Sequence, residues 1–124
     1  MRPSPDRVAL AYLTRKTAAS TTGRISVGPA FEIVVWYDAP ASMGFLHTMM
    51  KSVEGAQKDV NTALAGTAFA SLLRWNDPVI VGDKDGLSVR LSTGTSRGFQ
   101  ALREDKEAWM ALQGVARRHG YKLS

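Results

Sequence analysis

A chain of 124 residues with 44% hydrophobic and 22% charged side chains has the length and composition of one folded domain, which argues against wholesale disorder. Its lack of cysteine excludes disulfide scaffolds, thiolate metal centres and cysteine nucleophiles, and fits a reducing compartment. Of five net positive charges, four fall within residues 1–29, where Arg2, Arg7, Arg15, Lys16 and Arg24 are offset only by Asp6.

The first segment opens with a helix-start signal. Ser4 suits a cap, Pro5 the first helical position, and Asp6 the positive end of the dipole. A short helix over residues 5–16 follows, with Val8, Ala9, Tyr12 and Leu13 on one face. A helix this short is marginal in isolation, so it has to dock on something to persist. Residues 17–23, small and polar, read as a linker. Residues 1–28 are therefore expected to be a basic arm with its linker, and residues 29–124 a single domain able to fold without them.

The body opens on residues 31–37, a β-branched and aromatic run between Gly28-Pro29 and Asp38-Ala39-Pro40, which predicts a strand apolar on both faces. Ser42 then caps a long helical pattern. Phe45, Leu46, Met49, Met50, Val53, Ala56, Val60, Ala63 and Leu64 recur at three and four residues, and the pattern runs on through Leu72 and Leu73 to Trp75. Gly66 and its small neighbours signal either a break or a close helix contact. Residues 79–81 and 87–93 flank Gly82-Asp83-Lys84-Asp85-Gly86, a hairpin signal. Thr95 or Ser96 starts a last helix whose stripe is Phe99, Leu102, Trp109, Leu112 and Val115 and whose end is marked by Arg117, Arg118 and Gly120. The expected fold class is α+β. A basic N-terminal helical arm precedes a three-stranded, mostly antiparallel sheet packed against a long helix, continuous or broken at Gly66, and a C-terminal helix.

Candidate chemistry is sparse. His47 has no patterned partners for a zinc site, and His119 sits in a basic helix end, where a cation complements the dipole. Glu32 and Asp38 stand about 20 Å apart along a strand, too far for a carboxylate dyad. Asp83 and Asp85 lack the continuation of a calcium loop and fit a hairpin turn. The loop Gly94-Thr95-Ser96-Arg97-Gly98, between a strand and a helix, could hold one phosphate or sulfate on its backbone amides, although the Lys-Ser/Thr ending of a nucleotide loop is missing. No catalytic residue, metal site or cofactor is implied. The element order also resembles that of K-homology RNA-binding domains, but Gly55 and Gly66 are too far apart to make that family's Gly-x-x-Gly clamp.

The segment Arg7-Val8-Ala9-Leu10-Ala11-Tyr12-Leu13 resembles the short Arg-Val-Ala-x-x-Tyr/Phe-Leu segment that opens many small proteins of tailed bacteriophages, virion components among them. The resemblance covers about a tenth of the chain, implies a viral setting and a docking role for the head helix, and carries no catalytic residues. It leads to the expectation of a non-enzymatic assembly or accessory protein of a phage virion that docks on a partner subunit, in a homo- or hetero-oligomer, through Arg7, Val8, Tyr12, Leu13 and the helix-end Trp75. The alternative partner is nucleic acid, met by Arg15, Lys16, Arg24, Arg97, Arg117, Arg118 and Lys122; a third reading is an enzyme of unfamiliar type. No run approaches the roughly 18 apolar residues of a membrane span, and no apolar signal region follows the basic start. The expected location is therefore the host cytoplasm or the virion.

Overall fold

A computed structural model describes residues 21–37, 43–83 and 86–124. The expected arm helix, with Arg7, Val8, Tyr12, Leu13, Arg15 and Lys16, lies outside the described residues. The architecture is α+β, with strands β1 (Thr21–Val27) and β2 (Phe31–Tyr37), helix α1 (Met43–Ala63), strands β3 (Val79–Asp83) and β4 (Gly86–Ser92), helices α2 (Gly98–Glu104) and α3 (Lys106–His119), and the short strand β5 (Lys122–Leu123).

The sheet has five strands where three are expected, in the order β3-β4-β2-β1-β5. All pairs are antiparallel except β1 with β5. The correction falls on two segments. Residues 21–27, read as part of a linker and arm, form β1 and pair along their whole length with β2, from Thr21 opposite Tyr37 to Val27 opposite Phe31. Ile25 and Val27 alternate inward and are buried, so this stretch belongs to the core. The glycine that signals a linker has another cause: Gly23 lies under the ring of Tyr121, and a Cβ there would fall inside that ring. Residues 122–123, too short to carry a pattern, close the far edge beside Arg24 and Ile25.

The three helices among the described residues pack on one face of the sheet. Phe31, Ile33, Val35 and Tyr37 of β2 meet Met49, Val53, Ala56, Val60 and Leu64 of α1, with Phe99 and Leu102 of α2 and Leu112 and Val115 of α3 completing one continuous core. The long helix ends at Ala63, so of the two readings, continuous or broken at Gly66, the break is the one found. Gly66 adopts a left-handed φ of 78°, and the chain resumes only as a 3-10 turn at Ala70–Leu72. The last helix is likewise two. Asp105 leaves the helical region at φ −86° and ψ 109°, and its side chain accepts a hydrogen bond from the Ala108 amide at 3.0 Å, capping α3. Gly120, at φ 69°, ends α3 and turns the chain into β5.

Two outcomes test this architecture. A chain beginning at Gly28 lacks β1 and is expected to lose cooperative thermal unfolding, as followed by circular dichroism. Gly23→Ala is expected to cost about 1–3 kcal/mol in denaturant unfolding, the usual penalty for forcing extra volume into a packed site; a loss within error would show that the Tyr121 ring moves aside freely.

Candidate functional site

Three places on this scaffold gather chemistry: a polar cluster between α1 and the end of α3, the outer face of the sheet with its β3 edge, and the loop before α2.

The first is built by spacing on α1. Ser52, Gly55 and Asp59 lie three and four residues apart, so they share a helix face, turned toward the end of α3. The His119 Nε2–H donates to Asp59 Oδ2 at 2.6 Å, the His119 ring lies over Gly55, and the Ser52 hydroxyl hydrogen-bonds the Tyr121 phenol. The imidazole and phenol rings lie tilted, with centroids 5.5 Å apart. The hydrogen bond from His119 holds the Asp59 carboxyl below the usual carboxylate range, while burial pushes the Tyr121 phenol up. Serine, histidine and aspartate are the residue types of a hydrolytic triad, but here the serine bonds the phenol and the carboxylate bonds Nε2, so the chain of proton transfer is not assembled. What the cluster does is fasten the end of α3 and the start of β5 onto α1.

The outer face of the sheet carries no helix among the described residues. Arg24 and Lys122, two of the cations named as phosphate contacts, are brought side by side there by the β1–β5 register. Arg24 stacks on the half-buried Trp36, its guanidinium carbon 5.1 Å from the ring centroid. Arg90, on β4, contacts Glu32 at 3.6 Å in an exposed ion pair of little energetic weight. Arg117 and Arg118 are not part of this face. They are exposed in the last turn of α3, where they complement the helix dipole.

At the other end of the sheet, β3 is an edge strand whose Val79, Ile80 and Val81 are 51%, 47% and 58% exposed. Val79 and Val81 fall on the outer face and Ile80 on the inner, because they pair with Arg90, Ser88 and Val89. An edge that is apolar on both faces is the kind of strand that soluble proteins ordinarily blunt with charge or cover. Trp75, expected to face a partner, is half-buried. It meets Phe31 edge-to-face at 5.5 Å, and its indole N–H donates to Asn61 at 2.9 Å. Trp109 is half-buried as well, while His47 is exposed.

The loop before α2 joins β4 to the helices beneath the β1–β2 turn. Thr93 ties it to β2, accepting from the Phe31 amide at 3.0 Å on its hydroxyl and donating its own amide to the Phe31 carbonyl at 2.9 Å. The Ser96 amide donates to the Pro29 carbonyl at 2.8 Å, and Ser96 Oγ accepts from the Gly98 amide at 3.1 Å. Between loop and turn lies a recess of about 520 Å³, on whose wall stand Arg97, Gln100 and Arg103. Arg97 and Arg103 both line it, one just before the first turn and the other within the last turn of one short helix. Sequence reading named Arg97 and missed Arg103; the spacing of 97, 100 and 103 was its only signal.

Comparison of the chain with protein-family models, with curated proteins and with solved structures finds no match.

The Asp59–His119 contact carries a pH dependence whose sign follows from the depressed carboxyl. A carboxylate with a lowered pKa in the folded state contributes stability that is present above its unfolded pKa and lost as the pH falls through the folded one. Asp59→Asn is therefore expected to lower the thermal midpoint at neutral pH, and the gap to the unsubstituted protein is expected to close below about pH 4. A gap that persists unchanged to acid pH would show that the carboxylate charge is not what holds α3.

Proposed function

We propose that the protein is a non-enzymatic assembly protein, a component or close associate of a bacteriophage virion, that docks on a partner subunit. The observation that carries this reading is the exposed edge strand Val79-Ile80-Val81, which offers unpaired backbone groups and apolar side chains on both faces to an incoming strand. The basic arm, with Arg7, Val8, Tyr12 and Leu13, adds a second contact by its resemblance to the opening segment of small phage proteins. Its place of action is then the virion or the host cytoplasm in which virions assemble.

The occupant of the edge is a strand of a different chain. In a two-fold antiparallel pair of β3 with its own copy, centred on Ile80, Asp77 would oppose Asp83 of the second copy. Like charges set opposite each other destabilise a strand pair. An apolar strand flanked by Lys or Arg suits the same edge. Nucleic-acid binding is the second reading, and it rests on one grouping: Arg24 held on Trp36 with Lys122 beside it, on a sheet face that no described helix covers. Base stacking on aromatic and guanidinium planes is how single strands bind such platforms.

The test uses particles purified from cells that express the gene from its native genome. The protein is expected in those particles by mass spectrometry, and Val81→Lys, which places a charge on an already exposed position, is expected to remain folded and to be lost from them. Absence of the unsubstituted protein from the particles would overturn the virion reading. Tight retention on single-stranded DNA at physiological salt, abolished by Trp36→Ala and untouched by Val81→Lys, would favour nucleic acid instead.

A further inference from the structure

We propose that the recess between the β1–β2 turn and the loop before α2 is a binding site for a small organic anion, a phosphomonoester with an apolar body. The site is distinct from the β3 edge and independent of what docks there. Its volume of about 520 Å³ lies within the range of small-molecule sites. Most of its wall is carbon, with Pro29 on one side, and the polar side chains on that wall are Arg97, Arg103, Gln100, Thr95 and Ser96, with no carboxylate among them. A pocket of this make-up repels a cation, leaves a neutral polar ligand underused, and suits an apolar body that ends in a dianion.

The two guanidinium groups are the centre of the inference. Neither has a carboxylate within ion-pair distance among the described residues, although Glu32 and Glu104 stand nearby in the fold and chain. Arg103 is held in place from two sides. Its Nη1 donates to the Val27 carbonyl at 2.6 Å, and its guanidinium carbon sits 5.1 Å from the Trp109 ring centroid. Of five N–H donors, one is spent on that carbonyl and the others stay available in a fixed plane, the arrangement that matches phosphoryl oxygens in pairs. Arg97 is exposed and lines the same recess. The loop that leads into Arg97 is also fixed, by the Ser96 amide on the Pro29 carbonyl, so little chain ordering remains to oppose binding. Two cations match a phosphate dianion better than a singly charged carboxylate, and this decides the ligand class.

The experiment is a titration of the full chain, followed by ¹⁵N–¹H spectra, with phenyl phosphate, benzoate, inorganic phosphate and sodium chloride as separate probes. Phenyl phosphate is expected to give saturable shifts at the amides of Thr95, Ser96, Arg97 and Gln100. Benzoate and inorganic phosphate, each lacking half of the recognised chemistry, are expected to bind more weakly, and chloride not to compete at equal ionic strength. Arg97→Ala removes an exposed side chain with no structural bond and is expected to weaken phenyl phosphate about tenfold, the loss of one charge-assisted contact. Arg103→Lys keeps the charge and loses the planar fork, and is expected to weaken it too, whereas Arg24→Ala, on the outer face of the sheet, leaves it unchanged. Shifts that do not saturate, or that are the same in Arg97→Ala and Arg103→Lys as in the unsubstituted chain, would overturn the site. Equal binding of inorganic phosphate and phenyl phosphate would overturn the assignment of an apolar body.

Discussion

The pairing of β1 with β2 is the interaction on which the rest of the molecule hangs. It sets Ile25 opposite Ile33 and Val27 opposite Phe31, all buried on the helix-bearing face. One edge of β1 receives β2, and the other is the only neighbour of β5 among the described residues. Everything held through β5 therefore depends on β1: the Tyr121 ring over Gly23, the bond from Tyr121 to Ser52, and the backbone bonds of Ser124 to Ile25 and Val27. The β1–β2 turn then carries the constraint to the opposite end of the sheet. Pro29 receives the Ser96 amide and Val27 receives Arg103, so the loop before α2 is placed by the same two strands.

Packing every described helix on one side of the sheet divides the surface by chemistry. The inner face holds the apolar core, and the polar cluster at its margin closes α3 onto α1. The outer face keeps its cations in register, with Arg24 beside Lys122 across the parallel pair and Arg90 across β2. Val34 is buried on that face all the same, at 1% exposure, flanked in the ladder by Arg24 and Arg90. Two arginines, Arg24 and Arg103, sit on tryptophan rings, Trp36 and Trp109. Stacking fixes the plane of a guanidinium without consuming its N–H donors, so each of these arginines is oriented and still able to bind. At the β3 edge, residues that alternate between faces are exposed on both.

How much of this was legible in the sequence depended on whether a segment carries its own pattern. Residues 31–37 do, and β2 has the expected bounds. The hairpin of β3 and β4 follows equally from its glycines and acidic turn. Residues 21–27 carry a weaker pattern, Ile25 and Val27 alternating with Arg24 and Ser26, that the small residues before it obscured. Gly23 reads as flexibility when the cause is a ring from a hundred residues away, and no local signal distinguishes the two. The helix at residues 43–63 was legible from its apolar stripe, and Gly66 marked a candidate stop, but Leu72 and Leu73 keep the spacing after the chain has turned there, so the pattern alone did not choose between a break and a continuous helix. For the sites, Arg97 was visible from its loop, whereas Arg103 and the Asp59–His119 pair needed tertiary contacts. Trp75 looked like a contact for a partner because it follows a helical pattern; in the fold it is fastened to Phe31 and Asn61.

The parallel pairing of β5 with β1 also sets an order of events in time. Val27 and Ser124, joined by a backbone bond of 2.9 Å, lie about a hundred residues apart, a separation that makes this among the slowest contacts to form. As the chain leaves the ribosome, β1 finds β2 almost at once, and its other edge waits until residues 121–124 emerge. During that interval Gly23 has no ring over it, and the edge of β1 is open to any strand that comes near. Among the described residues the nascent chain therefore has the β1 and β3 edges open, and β5 closes the first while no described strand closes the second.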